Sequence, residues 1–566
     1  MRTIEKEKKS KKIIVVILII LAVIITALAT FILRNKVKNN NEDYSSLKLI
    51  INYTDVTNYL KAGVFRDENE TIYLGKDDIA NFYDEFIYYD KKYNQIITTS
   101  NDQIMVINID NNEKEINGKK EKMKNNVIIK NDKFFIPLTD LEDIYNIKAN
   151  YYKKTNTIVI DSVNNKLVEA ESKKKNNVKY KCSLFSQTAE TIEKGDKLTI
   201  VQLKEEQENI IPDDWVKVRT QNGSLGYVKK NSIGEEIVVR QEKENTTNTE
   251  KISLVWDYYS EYATAPNRTG TTIEGINVIS PSFFYLEKHG QGNVEENIGT
   301  SGRSYIKWAH SNGYKVWPII SNNSMQETTS EIMEDYKMRQ KLINHILEYV
   351  DAYDLDGINI DFENMKEEYK DLFSRFIIEL TPRMREKGKV VSIDVTEPDG
   401  SPEWSLCFDR NTLGKVVDYM MFMAYDQTSQ YSEKPGTTAG YNWVDININK
   451  FINREEVPKE KLILAIPFYT RLWEEKNGEV TSNVVSMKNT DSVIPKDAKK
   501  EWDDTLKQNY VEYEKDGATY KIWIEDEESI KEKLNLAKKY NLQGVSFWLK
   551  DFEKESIWKT IKQYIE

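Results

Sequence analysis

The octapeptide DGINIDFE, at residues 356–363, alternates polar and large apolar side chains along a single run. Because successive side chains of a strand point to opposite faces, Asn359, Asp361 and Glu363 share one face, and the apolar residues between them share the other. Burying an amide and two acids in a row costs several kcal/mol unless they are paired, so packing alone does not select them. The octapeptide therefore predicts a buried strand whose polar face carries a functional site.

Seven further apolar runs flank this strand, and amphipathic, helix-like segments separate them. The eight runs are Ile252–Trp256, Ile276–Ile279, Lys315–Ile320, Gly357–Phe362, Val390–Val395, Tyr419–Tyr425, Leu462–Pro467 and Gly544–Trp548. Eight strand–helix units within residues 252–566 predict an α/β fold, a (β/α)8 TIM barrel, which typically takes ~250 residues. The long gap at residues 468–543 predicts an α+β insertion between strands 7 and 8. In such barrels the site lies at the carboxyl ends of the strands.

The amino-terminal region is typical of a membrane anchor. Residues 13–33 carry no charge and are long enough for a bilayer core, which takes ~20 apolar residues. The strongly basic segment at residues 1–12 predicts a cytoplasmic amino terminus, a single pass through the cell membrane and an extracellular catalytic domain. The alternative is a secreted protein cleaved near Ala29, but the apolar run continues to Leu33, beyond the ~7–15 residues of a secretory core.

Residues 44–165 contain an internal repeat with an offset of 62 residues, under which Tyr89 falls on Tyr151. Each copy is predicted to form a strand, a short helix and a hairpin. The second copy, Val127 to Ile160, resembles the copper-amine-oxidase N-domain-like module, which implies a duplicated α+β stalk. Residues 44–165 contain neither histidine nor cysteine, so we expect a spacer or wall-contacting stalk without copper.

A second small module is predicted at residues 178–237, between a polar linker at residues 169–177 and another at residues 238–251. Its sequence reads as short strands, and the run from Trp215 to Val218 with Gly226-Tyr227-Val228 resembles a bacterial SH3 module. The resemblance implies a small SH3-like β-barrel, and many such modules bind cell-wall peptides. Trp215 can equally be a core residue.

Composition excludes several classes of function. The net charge of −11 argues against a nucleic-acid partner, which favours a basic protein. Two cysteines cannot form a disulfide framework, and three histidines without ligand spacing argue against a metal site or serine–histidine hydrolysis. We therefore expect no metal and no cofactor, so that carboxylates and tyrosines carry any catalysis.

The octapeptide resembles the DxxDxDxE signature of glycoside hydrolase family 18. Met423-Ala424-Tyr425-Asp426 resembles the MxYD end of the family's sixth strand, and Trp548 stands where the eighth strand carries a substrate-floor tryptophan. The resemblance extends over most of residues 252–566. Four stretches are similar to its cell-wall and spore-cortex-lytic N-acetylglucosaminidase branch, namely Leu254–Asp257, Asn277–Pro281, Ile466–Trp473 and Gly544–Trp548.

The resemblance implies retaining, substrate-assisted cleavage of β-1,4-linked N-acetylglucosamine bonds. Glu363 is then the general acid, and Asp361 orients the substrate's acetamido group. Tyr425 completes the implied catalytic set by donating its hydroxyl to the acetamido oxygen. The implied substrate-binding residues are Asn359, Met423, Asp426 and Trp548.

Several functional alternatives remain open. Peptidoglycan is the polymer nearest to a membrane-anchored enzyme, whereas chitin or another N-acetylglucosamine polymer is the alternative substrate. A non-catalytic cell-wall sugar-binding protein and a membrane-tethered scaffold are the alternatives outside enzymology. The presence of Glu363, Asp361 and Tyr425 favours an enzyme. The sequence leaves open endo or exo cleavage and the oligomeric state.

Asn359 generates the first testable prediction, because the family pattern has an aspartate at this position. An amide can hydrogen-bond a neighbouring carboxyl, but it cannot share a proton with Asp361 or raise its pKa through like-charge repulsion. Asn359→Asp is therefore expected to shift the pH–rate profile without abolishing activity, as measured by initial rates across pH. An unchanged profile would favour the alternative, a purely structural buried amide.

Overall fold

The computed structural model describes residues 46–202, 211–243, 250–288 and 291–565. The predicted basic segment 1–12 and membrane span 13–33 lie outside these residues. None of the helices within the described ranges is long and apolar enough to cross a membrane. Apart from the turn at residues 99–104, the described chain forms two compact units that divide at residues 244–249.

The first unit begins with the repeat, whose two copies have the same order of elements. The first copy comprises strands Val64–Arg66 and Ile72–Gly75, helix Lys76–Phe82, and strands Tyr88–Asp90 and Gln95–Thr99. The second comprises strands Ile128–Lys130 and Lys133–Pro137, helix Leu138–Tyr145, and strands Ile147–Tyr152 and Thr157–Ser162. Strands Ile104–Asn108, Glu113–Ile116 and Lys119–Lys122 extend the sheet that Tyr88–Asp90 and Gln95–Thr99 begin. Strand Lys48–Ile51 pairs in parallel with Thr157–Ser162.

The cores of the two copies follow the same 62-residue offset. Leu74, Ile79 and Ile96 are fully buried in the first copy, and the second buries the equivalent positions, Ile136, Leu141 and Ile158. Tyr83 also stacks on its equivalent, Tyr145, with ring centroids 5.0 Å apart. The two copies therefore pack into one shared core.

The rest of the first unit is an antiparallel β-module. Its strands are Leu167–Glu171, Asn176–Lys179, Thr188–Ile192, Lys197–Ile200, Trp215–Thr220, Leu225–Lys229 and Ile237–Arg240. Trp215 is 5% exposed, which agrees with the core alternative for this residue. The likeness to an SH3 module stays a prediction.

Both linker predictions around this module need correction. The stretch 169–177 is not a linker, because strand Leu167–Glu171 pairs with Lys197–Ile200 on one side and with Ile237–Arg240 on the other. Val168 and Ala170 point into the core and alternate with Glu169 and Glu171, and this alternation stabilises the strand despite its lysine-rich surroundings. The module therefore begins at Leu167 rather than at residue 178, and the segment predicted as a linker from residue 238 starts inside a strand.

The second unit is the predicted (β/α)8 barrel. Its strands are β1 (Ile252–Asp257), β2 (Val278–Pro281), β3 (Lys315–Val316, continuing at Ile319–Ser321), β4 (Gly357–Asp361), β5 (Val390–Val395), β6 (Tyr419–Met423), β7 (Leu462–Pro467) and β8 (Gly544–Trp548). All neighbours are parallel, and β8 pairs with both β7 and β1, so the ring closes. The eight apolar runs thus correspond to the eight strands. Strands Phe284–Leu286 and Val294–Glu296 form a hairpin beside β3.

Amphipathic helices cover the outside of the barrel. They are Gly299–Ser311, Gln326–Glu334, Tyr336–Ala352, Lys370–Glu386, Arg410–Val416, Tyr441–Asn453, Glu527–Lys539 and Ile557–Ile565. In the third of these, Leu342, Ile346 and Val350 recur at a spacing of four residues and are fully buried. This apolar stripe attaches the helix to the barrel, as its sequence predicts.

The gap between β7 and β8 contains the predicted α+β insertion. A five-stranded antiparallel sheet with one short helix fills it, comprising strands Tyr469–Lys476, Glu479–Ser486, Lys500–Asp503, Gln508–Lys515 and Ala518–Ile524 and helix Thr490–Val493. The first of these strands begins two residues after β7 ends. The insertion consequently adds side chains directly to the carboxyl-terminal rim of the barrel.

A buried ion pair joins the insertion to the following helix and generates a stability prediction. The Lys533 ammonium lies 2.9 Å and 3.0 Å from the two Glu525 oxygens, and both side chains are fully buried. Because removing one partner leaves an uncompensated buried charge, Lys533→Met is expected to lower the free energy of unfolding by about 3–5 kcal/mol. Urea unfolding of the full chain measures this loss. Lys531→Met, at an exposed position of the same helix, is the control, and an equal effect of both substitutions would contradict the prediction.

Candidate active site

The predicted site residues lie at the carboxyl-terminal rim of the barrel. Asp361 and Glu363 come at the end of β4, Tyr425 and Asp426 directly follow β6, and Trp548 ends β8. Parallel strands of a closed barrel all end at the same rim, so these side chains converge although they are distant in sequence. The rim is therefore the candidate active site.

Asn359 lies below this rim, fully buried, and all its polar groups have partners. Its side-chain oxygen accepts a hydrogen bond from the Trp256 indole N–H at 2.7 Å. Its amide nitrogen donates to Asp394 Oδ1 at 2.9 Å and to Ser392 Oγ at 3.1 Å. The expected hydrogen bond from Asn359 to Asp361 is thus replaced by bonds to β5, because the amide faces the neighbouring strand.

Asp394 brings a further carboxyl to the site, next to Asp361. In the β4–β5 register Asn359 pairs with Ser392 and Ile360 with Ile393, so Asp361 and Asp394 are the next pair. Burial raises the pKa of Asp361, and the charge of Asp394 raises it further. Burial also raises the pKa of Asp394, while the hydrogen bond from Asn359 opposes this shift. Both carboxyls therefore hold a proton more tightly than a carboxyl in water does.

Glu363 is held through its backbone by Asn322, a buried residue just after β3. The Glu363 N–H donates to Asn322 Oδ1 at 3.0 Å, and Asn322 Nδ2 donates to the Glu363 carbonyl at 2.9 Å. Burial raises the pKa of Glu363 to about 8, with the charges of Asp361 and Asp426 adding to the shift. Glu363 is therefore a carboxylic acid at neutral pH, fixed in place and able to donate a proton.

Tyr425 and Asp426 face this acid from β6. Burial is the main cause that raises the pKa of Tyr425, followed by the charge of Asp394, and those of Asp361 and Glu363 also contribute. The phenol therefore stays protonated as a hydrogen-bond donor close to the carboxyls. Tyr469 packs edge-on against Tyr425, with ring centroids 6.2 Å apart, and its hydroxyl donates to Asp426 Oδ1 at 2.8 Å.

Arg471, in the same strand as Tyr469, completes the contacts of Asp426. Its guanidinium lies 3.3 Å from Asp426 Oδ1 and forms a salt bridge with it. Met423 ends β6 and is buried at the base of the same loop. The rim residues after β6 and β7 thus form one hydrogen-bonded group.

Trp548 provides an apolar surface on the opposite side of the site. Its indole packs edge-on against Trp256 and at a tilt against the half-exposed ring of Tyr258, with centroids 5.8 Å apart in both pairs. Trp548 itself is partly exposed, whereas Trp256 and Trp317 are buried in the barrel core. Trp548 can therefore contact a ligand, and the other two tryptophans pack internally.

Three residues of the site were missed by sequence reasoning, namely Asn322, Asp394 and Tyr469. A signal for Asp394 was present, because Ser392 and Asp394 alternate with apolar residues as the polar face of β4 does. Asn322 and Tyr469 act through contacts that no local pattern reveals. Within the described ranges, no group of three His, Cys, Asp or Glu residues is placed to hold a metal ion.

Comparison with known proteins identifies two families along the chain. Residues 254–553, more than half of the chain, match Glycosyl hydrolases family 18. Residues 54–160 match the family described as Copper amine oxidase N-terminal domain. The two matches fall on the barrel and on the repeat.

Relatives of this chain include proteins from bacteria of the genus Bacillus. A glycosylase of Bacillus subtilis, YvbX, is 27% identical over 301 residues, which cover 51% of this chain and 84% of that protein. A cortical fragment-lytic enzyme of Bacillus anthracis is 23% identical over 282 residues, which cover 47% of this chain and 63% of that protein.

Solved structures resemble the barrel at lower identity. A chitinase from Chromobacterium violaceum is 22% identical with a TM-score of 0.49. The match covers 56% of this chain and 99% of the chitinase chain. The spore cortex-lytic enzyme SleL of Bacillus megaterium is 17% identical with a TM-score of 0.48. The match covers 59% of this chain and 77% of the SleL chain. On the extent of the family match, the chain belongs to glycoside hydrolase family 18 and is a glycosidase.

Proposed function

We propose that this chain cleaves β-1,4-linked N-acetylglucosamine bonds in peptidoglycan by retaining, substrate-assisted catalysis. The observation that carries the proposal is Glu363, a partly buried acid with a pKa raised to about 8, beside Asp361 and facing Tyr425. A protonated carboxyl, a second acid and a phenol donor at one barrel rim are the groups that this reaction needs.

In the first step Glu363 donates its proton to the glycosidic oxygen, and the bond from that oxygen to the anomeric carbon breaks. The carbonyl oxygen of the substrate's acetamido group then bonds to the anomeric carbon and gives a cyclic oxazolinium ion. No protein carboxylate attacks, so this route is an exception to the two-carboxylate scheme. A water molecule next attacks the anomeric carbon, and the bond from that carbon to the acetamido oxygen breaks. The water passes a proton to the Glu363 carboxylate, which restores the acid, and the two displacements at the anomeric carbon together retain its configuration.

The remaining residues hold the acetamido group in the attacking position. Asp361 accepts a hydrogen bond from the acetamido N–H and stabilises the positive charge of the oxazolinium ion. Tyr425 donates its hydroxyl to the acetamido oxygen. Trp548 lies under the sugar ring as an apolar floor, and Asp426, held by Tyr469 and Arg471, binds the sugar beside Met423.

Peptidoglycan is favoured over chitin by two observations. The relatives include proteins named as cortical fragment-lytic enzymes, although this chain spans less than two thirds of their length. Residues 13–33 also have the composition of a membrane anchor, which would keep the barrel outside the cell and near the wall. Residues 44–165 and the β-module would then act as a spacer. The alternative, chitin, is supported by relatives named as chitinases.

The first experiment digests purified peptidoglycan with the wild-type chain and with Glu363→Gln, which keeps the shape of the side chain without its acid. We expect wild type to produce new reducing ends at N-acetylglucosamine, detected by mass spectrometry. Because an oriented general acid contributes about 10²–10⁴ in rate, Glu363→Gln should be nearly inactive.

Glu367→Gln, at an exposed position four residues further along the chain, is the matched control and should retain activity. Reducing ends at N-acetylmuramic acid would contradict the proposed bond specificity. Cleavage of chitooligosaccharides with intact peptidoglycan would favour the alternative substrate.

A second experiment tests the protonation state of Glu363. A general acid works only while it is protonated, so kcat/KM should fall as the pH rises through about 8, the pKa to which burial raises Glu363. Asp426→Asn removes one of the charges that contribute to this shift, so the fall should begin at lower pH. A rate that stays constant well above pH 8 would contradict the assignment of Glu363.

A further inference from the structure

We propose that Asp394 is a positioning residue for Asp361: the two carboxyls share one proton, and Asn359 makes Asp394 the charged member. The inference rests on the proposed function and deepens it, because it assigns a role to a residue outside the octapeptide. Under this arrangement the pair carries one negative charge instead of two, beside a general acid that must be able to release its proton during the reaction.

The register of the sheet brings the two carboxyls together. Asp361 and Asp394 follow the pair Ile360–Ile393 on adjacent parallel strands, which lie ~4.8 Å apart. Asp394 is 3% exposed, so water does not screen it from its neighbour. The charge of Asp394 raises the pKa of Asp361, so the two carboxyls oppose each other's ionisation and titrate as a coupled pair.

The orientation of the Asn359 amide decides which carboxyl is charged. The Trp256 indole N–H is a donor only, so the atom of Asn359 that lies 2.7 Å from it must be the oxygen. The amide nitrogen is consequently directed at β5, where it donates to Asp394 Oδ1 at 2.9 Å. A hydrogen bond donated to a carboxyl favours its ionised form. Asp394 therefore holds the charge, and Asp361 carries the shared proton. The other oxygen of Asp361 accepts the acetamido N–H, and the single negative charge of the pair stabilises the oxazolinium ion.

Other titratable groups face this pair from two elements. Glu363 follows Asp361 on β4, and its charge, if formed, would oppose that of Asp394. From the β6 side come Tyr425, a neutral phenol, and Asp426, whose Oδ1 is bonded by Tyr469 and faces Arg471. A single negative charge on the Asp361–Asp394 pair thus limits the repulsion that would otherwise act on Glu363.

The test is the pH profile of kcat/KM for Asp394→Asn on a fluorogenic N-acetylchitotrioside and on peptidoglycan. In wild type the pair first ionises at Asp394, with the help of Asn359. In the variant the only carboxyl left is Asp361, which has no such donor. Because a coupled pair loses its first proton more readily than either member alone, the acidic limb should move up by about one pH unit. Rates on the acidic side should fall about tenfold.

Other outcomes overturn the proposal. If Asp394 were a separate, permanent anion, its removal would lower the pKa of Asp361, and the acidic limb would move to lower pH. If Asp394 had only a structural role, the variant would be slower, but the acidic limb of its pH profile would stay at the same pH. Ser392→Ala is the matched control, because it removes the other hydrogen-bond acceptor of the Asn359 amide nitrogen without changing the charge. The acidic limb of this variant should not move.

The double variant Asn359→Asp/Asp394→Asn covers the case in which Asp394→Asn fails to fold. It moves the carboxylate from β5 to β4, where the Trp256 indole can donate to it, and should return the acidic limb toward that of wild type. A double variant that folds but keeps a displaced limb would contradict the shared proton. Failure of wild type to cleave either substrate would instead count against the proposed function, so the two failures are distinguishable.

Discussion

The active site depends on the hydrogen bonds of one buried amide. Asn359 of β4 accepts from Trp256 of β1 and donates to Ser392 and Asp394 of β5, so it connects three strands inside the barrel. A buried amide is stable only when its donors and acceptor are satisfied, and here every partner comes from another strand. The position of the carboxyls above it consequently follows from the closure of the barrel.

Burial of acids at the rim opposes stability and supports catalysis. Removing a carboxyl from water raises its pKa, and neighbouring acids raise it further, so the pKa values of Asp361, Glu363 and Asp394 all lie above their usual range. Hydrogen bonds to the main chain, such as the two between the Asn322 side chain and the Glu363 backbone, offset this cost. The result is a proton donor that is both held in place and protonated at neutral pH.

Local patterns predicted the elements of this chain well where apolar residues repeat with a clear period. The alternation in residues 356–363, the eight apolar runs and the 62-residue repeat all correspond to structure. The stretch 169–177 was misread because lysine and asparagine dominate its composition, while only Val168 and Ala170 carry the strand signal. When a strand is stabilised mainly by pairing with its two neighbouring strands, its own sequence shows only a weak strand pattern.

By itself, the sequence determined which residues share a face of β4, the order of strands and helices, and the family to which the barrel belongs. Tertiary structure alone decided that Asp394 lies beside Asp361 and that the amide of Asn359 is directed at β5. The physical reason is that alternation along a strand is a local property of the backbone. Register between strands and the orientation of a buried amide depend instead on partners such as Trp256, which is 103 residues away in the chain.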